Sequence, residues 1–122
     1  MSVRGVRGAT VVDQDGPEAV ISATRELLQA ILDANPTMQT VDLASAFFTV
    51  TDDLSSIYPA RAARQMGWNQ VPLMCAREIP VPGALPRCIR VLLHWNTNLP
   101  QSAVYHVYIG AAASLRPDLS PE

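Results

Sequence analysis

Two arginines stand in the middle of apolar, strand-like stretches. Arg7 lies in Val3-Arg4-Gly5-Val6-Arg7-Gly8-Ala9-Thr10-Val11 and Arg90 in Cys88-Ile89-Arg90-Val91. A guanidinium does not deprotonate in a protein and is costly to bury unless an anion faces it. Two sources of that anion are open. Glu78 or Asp118 supplies it as a structural salt bridge, or a ligand carboxylate does, gripped by the bidentate geometry arginine favours. The second source would make a binding site for a small organic acid.

The residues that usually carry catalysis are missing or isolated. All nine basic residues are arginine, which excludes a lysine Schiff base or lysine general base. There is no GxSxG elbow, HExxH, P-loop or GxGxxG in the chain. His94 and His106 each sit alone in a strand-like segment, where a histidine is more often a satisfied structural group than a general base. Cys75 and Cys88 show neither CxxC nor zinc spacing, and two thiols with two histidines supply little for a closed metal site. Neither a metal nor a cofactor is expected, and a reducing compartment would disfavour a disulfide.

Periodicity supplies the elements that must position these groups. Val3 to Val12 reads as a strand, with Gly5 and Gly8 marking close approach of another backbone. Asp15-Gly16-Pro17-Glu18 predicts a helix start, with Asp15 and Glu18 at capping-box spacing and proline in the first turn. Val20, Leu27, Leu28 and Ile31 then recur on one helical stripe, with Ala23 and Ala30 between them, until Asn35-Pro36. Leu43 to Val50 is a continuous apolar run, the pattern of a strand buried on both faces. Tyr58 to Gly67 predicts a short helix opened by proline and closed by glycine, with Arg61 and Arg64 on one side. Val71 to Arg77 is another strand, followed by a proline-stiffened loop.

Arg87 to Thr97 alternates, so that Arg87, Ile89, Val91, Leu93 and Trp95 face one way and Cys88, Arg90, Leu92, His94 and Asn96 the other. Val104 to Ile109 is read as the last strand, with Val104, His106 and Tyr108 on one face, before an irregular tail through Leu115-Arg116-Pro117-Asp118-Leu119. The order β-α-β-α-β-β-β predicts a single α+β domain over residues 1–122, a mixed sheet with helices on one face. Prolines at 117 and 121 and the terminal position favour mobility from Ser114 onward.

Composition bounds what such a domain can be. With 122 residues, 48% of them hydrophobic and 16% charged, the chain fits one packed domain and is far from a disordered composition. So apolar a small body suggests that part of its surface is buried against another copy. A formal net charge of -2 offers no footprint for nucleic acid. The N-terminus lacks a signal-peptide pattern and no apolar run reaches membrane-spanning length, so a cytoplasmic protein without a membrane partner is expected.

Several segments together resemble the monofunctional trimeric chorismate mutases of the pseudo-α/β-barrel class. They are Val3 to Val11, Tyr58-Pro59-Ala60-Arg61, Val71-Pro72 to Cys75 with Glu78, Cys88-Ile89-Arg90-Val91, His106-Val107-Tyr108 and Leu115-Arg116-Pro117-Asp118-Leu119. The resemblance runs nearly end to end in the same order. It implies a homotrimer with sites in the clefts between subunits, acting on chorismate to give prephenate for aromatic amino-acid synthesis, with no cofactor. By the same resemblance Arg90 meets the ether oxygen and a carboxylate of chorismate, Arg7 with Tyr108 holds the side-chain carboxylate, and Glu78 and Cys75 meet the ring hydroxyl. Tyr58, Ala60, Arg61 and Arg64 of the adjacent subunit form the mouth, and Leu115 and Arg116 fold over the pocket.

The chain departs from the family pattern where Tyr58 replaces phenylalanine, Tyr105 replaces arginine and Met74, beside Cys75 in the pocket, replaces a small residue. An unbroken strand would put Cys75 and Glu78 on opposite sides, which predicts a bulge or strand end near Arg77. Two other readings remain open. One is a trimeric enamine or imine deaminase of similar fold, and the other is a non-catalytic binder of a cyclic dicarboxylate.

Overall fold

The fold is arranged around β4 (Cys88–Thr97), which pairs antiparallel with β1 (Ser2–Val11) on one side and β2 (Leu43–Val50) on the other. The structure is a computed structural model and describes residues 1–115. β3 (Leu73–Arg77) joins β2 in parallel and β5 (Val107–Tyr108) joins β1 in parallel, giving a five-stranded mixed sheet of order β3-β2-β4-β1-β5. The expected order of elements and the single α+β domain are both found. Arg116, Asp118 and the rest of the expected tail lie outside the described residues.

Helix α1 (Pro17–Ala34) buries Val20, Leu27, Leu28 and Ile31, the apolar stripe read from the sequence, and α2 (Ala60–Gln65) buries its alanines. Both pack on one face of the sheet, where Val6, Phe48, Val91, Leu93 and Trp95 complete a continuous core. The opposite face is open, except at one end. There a 3₁₀ segment, Gly110–Leu115, covers Ala9, Cys88 and Tyr108. Leu115 thus ends an ordered turn, where an irregular tail was expected.

Gly8 faces α1. A Cβ there would stand 2.7 Å from Ile31 Cδ1, 3.1 Å from Leu27 Cδ1 and 3.2 Å from the Val107 carbonyl. The helix and β5 therefore reach β1 only because the residue has no side chain. Gly5 differs, its nearest contact being Leu92 Cδ1 at an ordinary 3.7 Å. Gly8→Ala is expected to cost about 1–3 kcal/mol through overpacking, and Gly5→Ala far less, as urea unfolding midpoints would show.

Four expectations are corrected. The capping box does not form: Gly16 is the N-cap with no side-chain bond. The Asp15 carboxylate instead accepts from the backbone N–H groups of Ser55 and Ser56, tying the helix entry to the loop after β2. β2 is buried on one face only. Its alternate residues Ala46 and Phe48 are in the core while Phe47, 39% exposed, is on the open face. Arg7 and Arg90 are exposed in the single chain, so no burial cost needs offsetting there. Finally, β5 has only two residues, because side chains take the place of a strand along the rest of that edge of β1. The Gln101 amide pairs with the N–H and carbonyl of Gly5, and His106 Nδ1 accepts the Arg7 N–H at 2.9 Å. These bonds satisfy that edge of β1 without further ladder, so residues 98–106 stay out of the sheet and the chain rejoins it at Val107.

Candidate active site

Register decides which side chains meet on the open face. Arg7 pairs with Leu92, Ala9 with Arg90, Thr49 with Arg90 and Phe47 with Leu92 across neighbouring strands. Side chains at paired positions share a face. Tyr108, paired with Ala9, brings the phenol in from β5. Glu78 follows the last residue of β3, and its N–H donates to the Val50 carbonyl at 2.8 Å, which prolongs the β2–β3 pairing by one step. The result is a pocket of about 400 Å³ lined by Arg7, Gly8, Phe47, Thr49, Glu78, Arg90, Val91, Leu92 and Tyr108.

Within it Arg90 Nε stands 3.5 Å from Glu78 Oε2, with side chains 46% and 23% exposed. The Thr49 hydroxyl donates to the same carboxylate oxygen. The Arg7 guanidinium has no ion-pair partner among the described residues, so an anionic ligand can take it. Two cations, one carboxylate and one phenol around an apolar floor suit a small organic anion that also carries a hydroxyl.

Arg87 shapes the turn that leads into β4. Arg87 adopts a left-handed backbone, φ 48°, which costs a non-glycine residue roughly 1–2 kcal/mol. Its N–H donates to the Asp53 carboxylate and its Nε to the Val12 carbonyl at 2.8 Å. A hydrogen bond from the Thr51 hydroxyl and the Arg87 N–H hold the Asp53 carboxyl below the usual carboxylate range. Burial pushes the Cys88 thiol up, which keeps it a protonated packing group beneath the pocket.

The other expected site residues fall into separate groups. Tyr58, Arg61 and Cys75 line a groove of about 560 Å³ at the β3 edge. Met74, 60% exposed, lies on the open face beside Phe47. Ala60 is buried in the core. Arg64 is exposed on α2 and does not line the groove. Leu115 lines an adjoining cavity of about 260 Å³ with Glu78, Cys88 and Arg90. Arg116 lies outside the described residues.

Cys75 and Glu78 do not meet within one chain. β3 ends at Arg77, as expected, but its pairing with β2 stays regular to that point, so the odd separation keeps them on opposite faces. The two histidines are held by structural partners. Ser45 Oγ and His94 Nδ1 are 2.8 Å apart, and the His94 ring meets Phe47 edge-on. His106 accepts from the Arg7 backbone.

Fold and site together define a small α+β protein whose open sheet face gathers two arginines, a glutamate and a tyrosine in one pocket. The comparisons make the class particular. Residues 3–119 match the family model for chorismate mutase type I. The chain is 58% identical over 117 residues to chorismate mutase AroH of Thermus thermophilus, covering 96% of each. It is 40% identical over 121 residues to chorismate mutase AroH of Bacillus subtilis (strain 168), covering 98% of this chain and 94% of the relative. A chorismate mutase structure from Clostridium thermocellum superposes with a TM-score of 0.87 at 41% identity, covering 90% of this chain and 97% of that one. The chain belongs to the chorismate mutase type I family, and with it to the isomerases.

Proposed function

We propose that this chain converts chorismate to prephenate in clefts between the subunits of a homotrimer, by electrostatic stabilisation and conformational restriction. The observation that carries the reading is the convergence of Arg7, Glu78, Arg90 and Tyr108 on one pocket of about 400 Å³. In the one-step [3,3] rearrangement the C–O bond breaks ahead of C–C bond formation. Negative charge grows on the ether oxygen and positive charge on the ring, and no proton has to move. Arg90 donates to the oxygen where charge develops, a preorganised term worth roughly 3–4 kcal/mol per donor in other enzymes. Glu78 faces the cationic ring fragment and its hydroxyl. Arg7 and Tyr108 hold the side-chain carboxylate and, with it, the compact conformer that reacts.

Assembly follows from what a single chain leaves undone. Phe47, Leu92 and Met74 form an apolar strip on the open face, 37–60% exposed, beside the arginines. Covering that strip with a second copy would close the pocket and raise the worth of its charges. The Tyr58–Arg61–Cys75 groove of one subunit then completes the Arg7–Arg90 pocket of the next, which puts Cys75 and Glu78 in one site despite their opposite faces. Arg64 stands at the rim in this arrangement. Among the described residues no helix is long and apolar enough to cross a membrane.

The test is direct. The purified chain, incubated with chorismate, should abolish the substrate's ultraviolet absorbance and accumulate prephenate, and should sediment as three 13.2 kDa subunits. Binding without turnover would leave only a dicarboxylate binder. Cys75→Ala is expected to lower turnover by no more than about tenfold, the worth of one neutral hydrogen bond. A larger loss would point to covalent or acid-base chemistry at the thiol.

A further inference from the structure

We propose that Thr49 is a positioning residue of this site. Its hydroxyl holds the Glu78 carboxylate between itself and Arg90, so that the carboxylate faces the substrate ring and does not close down on the guanidinium. The proposal rests on the reading of function given above and names a residue to which the family resemblance assigned no role.

The geometry is specific. Glu78 Oε2 accepts from the Thr49 hydroxyl and lies 3.5 Å from Arg90 Nε, so one oxygen serves both partners. Thr49 pairs directly with Arg90 on β4 and with Ala76 on β3, in the middle of the sheet. A β-branched side chain in a strand is restricted at χ1, so the hydroxyl is a fixed donor where a longer polar side chain would be a mobile one. Glu78 itself lies just past the end of β3, where only its backbone bond to Val50 ties it to the sheet. Its long side chain has freedom to lose, and the Thr49 bond removes it before substrate arrives.

Without the hydroxyl, Oε2 keeps Arg90 as its one remaining partner of the two. The carboxylate would then draw toward the guanidinium. That movement harms both members: Glu78 leaves the developing positive charge on the ring, and Arg90 is partly neutralised before it can serve the ether oxygen. Ground-state binding depends more on Arg7 and Tyr108, which this change does not touch. The loss therefore falls on kcat.

The experiment compares wild type, Thr49→Val, Thr49→Ser, Glu78→Ala and the Thr49→Val/Glu78→Ala double variant for kcat, KM and thermal unfolding midpoint. Valine keeps the shape and the strand preference, and removes only the hydroxyl. Thr49→Val should lower kcat by about 10- to 100-fold, the worth of a hydrogen bond to a charged group, with KM little changed. Thr49→Ser should restore most of the loss, and adding Thr49→Val to Glu78→Ala should cost nothing further, because the hydroxyl acts through that carboxylate. Equal losses from Thr49→Val in both backgrounds, or a Thr49→Val enzyme with normal kcat, would overturn the proposal while leaving the function in place. If Thr49→Val does not fold, Thr49→Ser decides, since a serine enzyme as impaired as Glu78→Ala overturns it. A folded wild type without turnover overturns the function and this proposal with it.

Discussion

Arg90→citrulline, which keeps the length and planar donor edge of the side chain and removes its charge, is expected to lower kcat by about 10²- to 10³-fold with a much smaller change in KM. The asymmetry follows from when the charge is needed. In the ground state the ether oxygen is a weak neutral acceptor, and a neutral donor serves it nearly as well. In the transition state it carries developing negative charge, and only a cation answers that fully. A near-normal rate would overturn the electrostatic account. The unfolding midpoint gives the control. The Arg90–Glu78 contact is 3.5 Å with both side chains partly exposed, a kind of pair worth about 0–1 kcal/mol at most. Losing the charge should therefore leave stability nearly unchanged. A large fall in midpoint would mean that the pair is chiefly a structural salt bridge, the first of the two sources open for the anion.

At Arg90 the two sources are not mutually exclusive. Glu78 does face Arg90, as a structural bridge would have it, yet both groups line the same pocket and remain open to it. Arg7 has no such carboxylate among the described residues. The remaining arginines with resolved partners serve the frame. Arg4 Nε donates to the Leu99 carbonyl, Arg77 pairs with Asp52 at 3.6 Å, and Arg87 closes the turn that leads into β4.

Much of this was legible because strand and helix periods are geometric. The alternation in β4 placed Arg90 opposite the core face without reference to any partner strand, and burial follows it from Ile89 to Thr97, Cys88 being covered by Gly110–Leu115. The helix ends were legible because proline and glycine act locally, as Pro17 and Gly67 do. What failed depended on partners remote in sequence. Asp15 and Glu18 have the spacing of a capping box, but Ser55 and Ser56 present N–H groups that claim the Asp15 carboxylate first. His106 looked like a strand residue until its ring, and not its backbone, proved to be the group that meets Arg7. Cys75 and Glu78 were expected to be brought together by a bulge or strand end near Arg77; β3 does end there, but its pairing is regular to that point and the two line separate clefts of one chain.

Thr49 and Phe47 were missed for a simpler reason. Read as one apolar run, Leu43 to Val50 hides its own alternation, although Ser45 and Thr49 mark the polar face at a spacing of four. Counted from Thr49, position 47 falls on the same face and position 48 on the other. The signal was present in the sequence, weakened because the third residue of the polar face is a phenylalanine.

That alternation makes the last prediction, since adjacent phenylalanines of one strand should behave as residues of two different surfaces. Phe48 is fully buried, pairs with Val91 on β4 and Cys75 on β3, and packs in the core beneath α1 and α2. Phe48→Ala is expected to destabilise the protein by about 3–5 kcal/mol, because the surrounding helices and strands cannot collapse into the space left by the ring. Against a total of about 5–15 kcal/mol for a domain, that is enough to leave a substantial unfolded fraction on mild heating. Phe47, one residue earlier, touches the pocket and the His94 ring and is 39% exposed. Phe47→Ala should keep the core intact. In the trimer proposed above, its loss should fall on KM and on subunit association, read by turnover at saturating and limiting chorismate and by the concentration at which that trimer dissociates. Urea unfolding of the two variants at one protein concentration decides the matter. A midpoint lowered much further by Phe48→Ala supports a strand with one core face and one site face, whereas equal losses would mean that both faces of β2 are core, as its apolar run first suggests.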